Sequence, residues 1–390
     1  MQRLLDGYVA DKKMAGVTAA LSFGGSPPAY PSAGHIALDS AVRFDENSLC
    51  RIYSMTKPVT GAAAMMLVEG GRIKLDQPVA DVLPEFRSLR VAIDTQKSME
   101  SRPAVKTMTM RHLLTHTSGL SYWTPSSGAG VLPTAYRERG ITPGNYGARL
   151  NRPGYGPQAR GLAEMVERVA ELPLLCEPGT AYNYSIGLDV MGLVIERVAG
   201  RGFDVFLRER LFGPLDMSST GFQVAPKNVA RLTTNYDVTP EGLRPTDSAA
   251  SSVWLRPPTL IAGGAGLIST ARDFARFGAM LLGDGALGRV RVLKPKTARL
   301  TRSNLLPAGV VYSGGDGFGA GAALVLNGTN RRFGPPGSFG WGGAAGTLWR
   351  IDPARRGNMV FMSQHMPPTT YPIRENMAAA IEADIKQEKG

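Results

Sequence analysis

The chain has 390 residues, 43% hydrophobic and 19% charged, a globular composition with material for a large core. Its two cysteines, Cys50 and Cys176, exclude a disulfide framework, and the spacing of Cys and His offers no metal-ligand pattern. The net charge of +12 comes from scattered Lys and Arg without a run of five, which favours a solvated basic surface over a nucleic-acid partner.

Leu4, Leu5, Tyr8 and Val9 fall at helical spacing, so the chain is expected to open on a short amphipathic helix. Residues 16–23 and 34–38 read as strands separated by a Gly/Pro/Ser turn region. Thr56–Glu69 reads as a buried helix with Val59, Ala62, Ala63, Met66 and Leu67 on a broad apolar face, stopped by Gly70-Gly71. Met110–Leu114, Leu162–Val169, Ile186–Val198 and Phe203–Leu211 are further predicted helices. Residues 121–158 form a long stretch rich in Gly, Pro and Tyr, read as a binding loop or lid. Thr270–Leu282 is a predicted helix capped by Thr270 with Asp273 three residues on. Phe318–Leu326, Gly346–Ile351 and Met359–Ser363 read as strands, Asn327-Gly328 as a turn, and Asp352–Gly357 as a hairpin connection. A last helix is expected over Ile373–Lys386. The pattern predicts an α/β chain of α+β type. Residues 1–72 and 258–390 would form one sheet domain, with a helical domain, 73–257, inserted between them. No apolar stretch approaches the roughly 18 residues of a membrane span, and residues 1–6 lack the apolar core of a secretory signal, so a cytoplasmic location is expected, or a periplasmic or secreted one if a leader has been removed.

Three segments carry chemistry. Ser54-Met55-Thr56-Lys57 opens the buried helix, where residues i and i+3 share a face and the free N–H groups of the helix start favour negative charge. A serine hydroxyl needs a base; lysine can serve when burial and a positive neighbourhood hold its amine uncharged. With 24 serines and 11 lysines, chance yields about 0.7 such spacings, so position rather than pattern makes this one informative. Pro178-Gly179-Thr180-Ala181-Tyr182-Asn183-Tyr184-Ser185 leads from a turn into a predicted buried helix and offers a phenol, Tyr182 or Tyr184, as proton carrier. Phe339-Gly340-Trp341-Gly342-Gly343-Ala344-Ala345-Gly346 lets backbone approach a ligand, and the Ala344 N–H could join that of Ser54 as an oxyanion hole.

In order and spacing these segments resemble the serine β-lactamase and penicillin-binding superfamily, together with Leu113–Leu120 and Gly263–Thr270. The resemblance runs from about Val17 to Gln364 and is nearest to the class C β-lactamase-like carboxylesterases, the family VIII esterases. It implies a β-lactamase/transpeptidase-like fold, a central antiparallel sheet flanked by helices. It also implies Ser54 as nucleophile, Lys57 as its proton-accepting partner, and Tyr184 rather than Tyr182 as proton shuttle. Tyr122 and Trp123 would form an aromatic wall. Trp341-Gly342-Gly343 stands where the superfamily usually has Lys-Thr-Gly, and Ile186 follows Ser185 where Asn is common. Both departures remove polar groups and suit a neutral ester better than a β-lactam.

The implied activity is hydrolysis of a small-molecule ester, short-chain acyl esters above all, without cofactor or metal. On the same fold the alternatives are a β-lactamase, a DD-peptidase, an acyltransferase or a non-catalytic binding relative. A Ser-His-Asp hydrolase is disfavoured: no Gly-x-Ser-x-Gly occurs, and the four histidines, His35, His112, His116 and His365, form no acidic cluster. His116, between Thr115 and Thr117, reads as structural; Trp254 is a further candidate for setting acyl length.

Overall fold

The computed structural model describes residues 1–124, 130–143, 153–327 and 334–387. The chain opens with helix α1 (Gln2–Ala10) and strands β1 (Gly16–Ser22) and β2 (Ser32–Gly34). Five more strands come from the far end of the chain: β3 (Gly317–Phe318), β4 (Ala323–Leu324), β5 (Phe339–Gly342), β6 (Leu348–Asp352) and β7 (Gly357–Met362). They form one sheet in the order β3-β4-β5-β6-β7-β1-β2, every neighbour antiparallel.

The two-residue period of β1 assigns its faces. Val17 and Ala19 pack with Leu5 and Tyr8 of α1, Phe361 of β7, and Ile373 and Met377 of the C-terminal helix. Ala20 faces the opposite core with Trp349, Ile351, Val360 and Met362. A helix over Ala271–Leu282 covers this second face, and Thr270 caps it by accepting the Asp273 N–H at 3.1 Å. The fold is of the α+β class, an antiparallel sheet between helices.

Helix α2 (Thr56–Glu69) lies deepest, with every side chain from Thr56 to Leu67 buried. Gly61 is what lets it pack: a Cβ there would sit 2.1 Å from the Ala320 carbonyl oxygen.

The structure corrects several expectations. The predicted strand Phe318–Leu326 is two short strands folded at Gly321, whose φ of +80° breaks the extended run. The strand expected at 34–38 ends at Gly34, which takes φ +73° against the Ala15 carbonyl. The predicted helix Phe203–Leu211 is α-helical to Leu207 and then widens into a π turn over Arg208–Phe212. The stretch expected to be a loop, 121–158, holds a helix, Val131–Glu138, which buries Leu132 and Tyr136 four residues apart. A hairpin, Asn235–Thr239 with Gly242–Asp247, lies in the segment read as helical. The Asn327-Gly328 turn falls partly outside the described residues.

Candidate active site

Ser54 sits in a single 3-10 turn, Tyr53–Met55, that runs directly into α2. The approach is pinned. Cys50–Arg51 pairs with Ile268–Ser269, and the Ile52 N–H donates to the Leu267 carbonyl at 3.1 Å. The Arg51 guanidinium is fully buried and bonded to Asp247, Ser252 and the Thr233 carbonyl, so its charge is matched by an acid and its donors by oxygens. Tyr53 takes φ +40°, uncommon for a residue with a Cβ, and its ring rests edge-on against Trp254 at 6.3 Å.

One turn along α2, the Lys57 amine is buried and donates to the Gly264 carbonyl at 2.7 Å while lying 3.3 Å from the Ser54 Oγ. The backbone of Gly263 and Gly264 can lie this close because a Cβ on either would strike the start of the helix Gly187–Ala199: 2.4 Å from the Leu188 carbonyl and 2.5 Å from the Asp189 carboxyl. A positive neighbourhood was expected around Lys57. Instead Asp189 stands behind it, accepting the Gly264 N–H at 2.8 Å. Burial raises the Asp189 carboxyl above its ordinary range, and the Lys57 charge opposes that rise. An acid alone in an otherwise apolar helix start is the sequence signal that marks Asp189.

Of the two tyrosines, Tyr184 meets the serine, with its hydroxyl 2.6 Å from Ser54 Oγ. The Lys57 amine also stands 4.5 Å from the centre of the Tyr184 ring. Tyr182 packs its ring against Tyr312 at 4.8 Å and Phe318 at 5.4 Å, and burial pushes its phenol well above the ordinary value. The Tyr184 segment is held by the loop after Met110–Leu114. The His116 carbonyl accepts the Asn183 N–H, and the His116 ring nitrogen Nδ1 accepts that of Ser185. His116 is fully buried, so its imidazole is held neutral, well below its usual pKa.

Ser54 and Tyr184 open into a cavity of about 840 Å³. Tyr122, Trp123, Trp341, Gly342, Gly343 and Ala344, all expected in the sequence, line it. Tyr122 lies 5.1 Å from the Tyr184 ring, and Trp341 stacks on Tyr184 at 6.0 Å and 25°. The helix Val131–Glu138 steadies the Tyr122-Trp123 wall: the Tyr136 hydroxyl accepts the Ser121 N–H, and Arg137 donates to the Trp123 carbonyl. Gly343 seats the 343–347 turn against the approach to Ser54, since a Cβ would sit 2.2 Å from the Ile52 carbonyl oxygen. Trp254 lies outside the cavity, buried behind Tyr53. Tyr155, from the 121–158 stretch read as a binding loop, also lines the cavity; missed in the sequence was the far wall, residues 366–375, which include Tyr371 and Arg374. Arg374 reaches the cavity edge beside Gly342, where a Cβ would lie 2.9 Å from Nη2. His365, at the start of that wall, is buried and bonded to Ser363, and burial pulls its imidazole down to about 4.

The β-lactamase family profile matches residues 1–384. The chain belongs to the β-lactamase family. Protein Rv1367c of Mycobacterium tuberculosis is 34% identical over 86% of this chain and 82% of its own. Esterase EstB of Burkholderia gladioli is 30% identical over 91% of this chain and 87% of its own, in accord with the resemblance to family VIII esterases. Acyltransferase calJ of Penicillium decumbens is 29% identical over 85% and 79%. The solved structure of EstCE1, described as a hydrolase with promiscuous acyltransferase activity, superposes with a TM-score of 0.79 over 96% of both chains at 24% identity. The LovD6 mutant of simvastatin synthase from Aspergillus terreus superposes at 0.77, with 22% identity over 98% of this chain and 94% of its own. Both show the β-lactamase-like fold. Among the described residues no helix is long and apolar enough to cross a membrane.

Proposed function

We propose that this β-lactamase family member is a carboxylesterase that hydrolyses short-chain acyl esters through an acyl-enzyme on Ser54. The observation that carries the reading is the meeting of the Ser54 hydroxyl with two proton carriers, Tyr184 at 2.6 Å and Lys57 at 3.3 Å, beside an aromatic cavity. The Ser54 oxygen attacks the ester carbonyl carbon as its proton passes to the Lys57 amine, which the Gly264 carbonyl holds within 3.3 Å of it. The amides of Ser54 and Ala344 hold the tetrahedral oxyanion. Collapse expels the alkoxide, which takes a proton from Tyr184, and Lys57 returns its proton to Tyr184. Water then enters and bonds to the acyl carbon as the same pair takes its proton; the bond from the acyl carbon to Ser54 Oγ breaks as the pair returns that proton to Oγ, releasing the acid. Esterase EstB supports this reading, as does the apolar Trp341 where β-lactamases usually carry lysine.

A second reading, acyl transfer to an alcohol, uses the same acyl-enzyme. It is favoured by a cavity with room for acyl group and acceptor together and by the similarity to acyltransferase calJ. Side-by-side assay of nitrophenyl butyrate, nitrocefin and a D-Ala-D-Ala peptide tests the proposal. Rapid ester turnover with negligible peptide cleavage is expected; the reverse order would sink it. A fluorophosphonate should label the peptide containing Ser54, and Lys57→Ala should abolish both labelling and turnover.

A further inference from the structure

Behind the nucleophile lies a buried carboxylate, Asp189, that takes no part in the acylation steps and is linked to Lys57 through Gly264. The Asp189 carboxylate accepts the Gly264 N–H at 2.8 Å, and the carbonyl of the same residue accepts from the Lys57 amine at 2.7 Å. Asp189 and Lys57 are both buried, and Gly264 leaves no room for a side chain between them. We propose that Asp189, acting through the Gly264 backbone, is the positioning residue that aims the Lys57 amine at Ser54 and stabilises it when it takes the serine proton. This rests on the esterase reading.

Asp189 is the third residue of the helix Gly187–Ala199, where unpaired N–H groups and the helix dipole favour a carboxylate. The bond to the Gly264 N–H fixes the residue whose carbonyl holds the amine, and the charge of the carboxylate reaches Lys57 through space across this buried setting without direct contact. The other titratable groups facing Lys57 do not replace it: His116 is held neutral by burial, and Tyr184 and Tyr122 present their rings, at 4.5 and 5.7 Å. Tyr184 hydroxyl and Ser54 Oγ lie on the substrate side, Asp189 on the other, so the ammonium formed in acylation has its counter-charge away from the substrate.

Asp189→Asn keeps the shape and an oxygen for the Gly264 N–H but removes the charge. It should lower kcat about tenfold with KM within about twofold. Losing a negative neighbour favours the free amine, so the acidic limb of the kcat/KM profile should move about one pH unit toward acid. A purely structural Asp189 would leave that limb in place, and an unmoved limb overturns the proposal. Should Asp189→Asn melt below assay temperature, the test passes to thermal unfolding in the Lys57→Met background. There the same substitution should cost clearly less than in wild type, because the amine that the Asp189–Gly264 chain holds is already gone. Equal losses in the two backgrounds overturn the coupling. Unfolding needs no substrate, so a wild-type protein inactive on every ester would sink the esterase reading and leave this coupling to be judged on its own.

Discussion

Tyr184→Phe separates proton transfer from packing at this site. The substitution removes one oxygen, the one 2.6 Å from Ser54 Oγ, and keeps the ring that stacks on Trp341 and meets Tyr122 and His116. Stability should therefore fall by no more than the roughly 1 kcal/mol of one hydrogen bond. Activity should fall far more, because a positioned acid–base group contributes about 10²–10⁴-fold, near 4 kcal/mol at the middle of that range. The size of the loss should depend on the leaving group. An alkoxide must be protonated as it departs, whereas nitrophenoxide leaves without a proton at neutral pH. The assay compares kcat/KM, which reports events through acylation, for an ethyl and a nitrophenyl ester of one acid. We expect the ethyl ester to lose about 10³-fold and the nitrophenyl ester about tenfold less. Equal losses on both would remove Tyr184 from the leaving-group step. Losses under about threefold on both would remove it from the chemistry.

Gly343→Ala should drive a Cβ to 2.2 Å from the Ile52 carbonyl oxygen and push the 343–347 turn off the Ser54 approach. We expect a stability loss of about 1–3 kcal/mol by thermal melting and a kcat at least about tenfold lower as the Ala344 amide shifts. Trp341→Ala removes the ring stacked on Tyr184 at 6.0 Å and should raise KM for an aryl ester about tenfold, measured by steady-state kinetics. Burial pulls the His365 imidazole from an ordinary 6.5 down to about 4 in the folded chain, so between those values the unfolded chain binds more protons. Its contribution is thus present at neutral pH and is lost as the pH falls from 6.5 toward 4, by about 3 kcal/mol in all. Denaturant unfolding at stepped pH should show this loss, and His365→Gln should flatten it.

Local pattern made much of the protein readable from residues alone. The amphipathic period of α1, the unbroken apolar face of α2 after Ser54, the cap at Thr270 and the hairpin joining β6 to β7 at Asp352 and Gly357 rest on neighbours within a few residues, and the structure shows each of them. The serine and lysine of the candidate site share one helical turn, so their meeting is also a local fact. Other features depend on residues far apart in the chain. Tyr184 joins Ser54 across 130 residues, and Asp189 reaches Lys57 only through Gly264. Trp254 turned to the back of Tyr53, while residues 366–375, distant from every motif, became a wall of the cavity. Even the helix Val131–Glu138 depended on partners elsewhere: its Gly- and Pro-rich surroundings read as loop until Leu132 and Tyr136 found a core to fill. Backbone preference acts over a turn or two of chain, whereas the packing of these groups is settled only when separate elements close around one another.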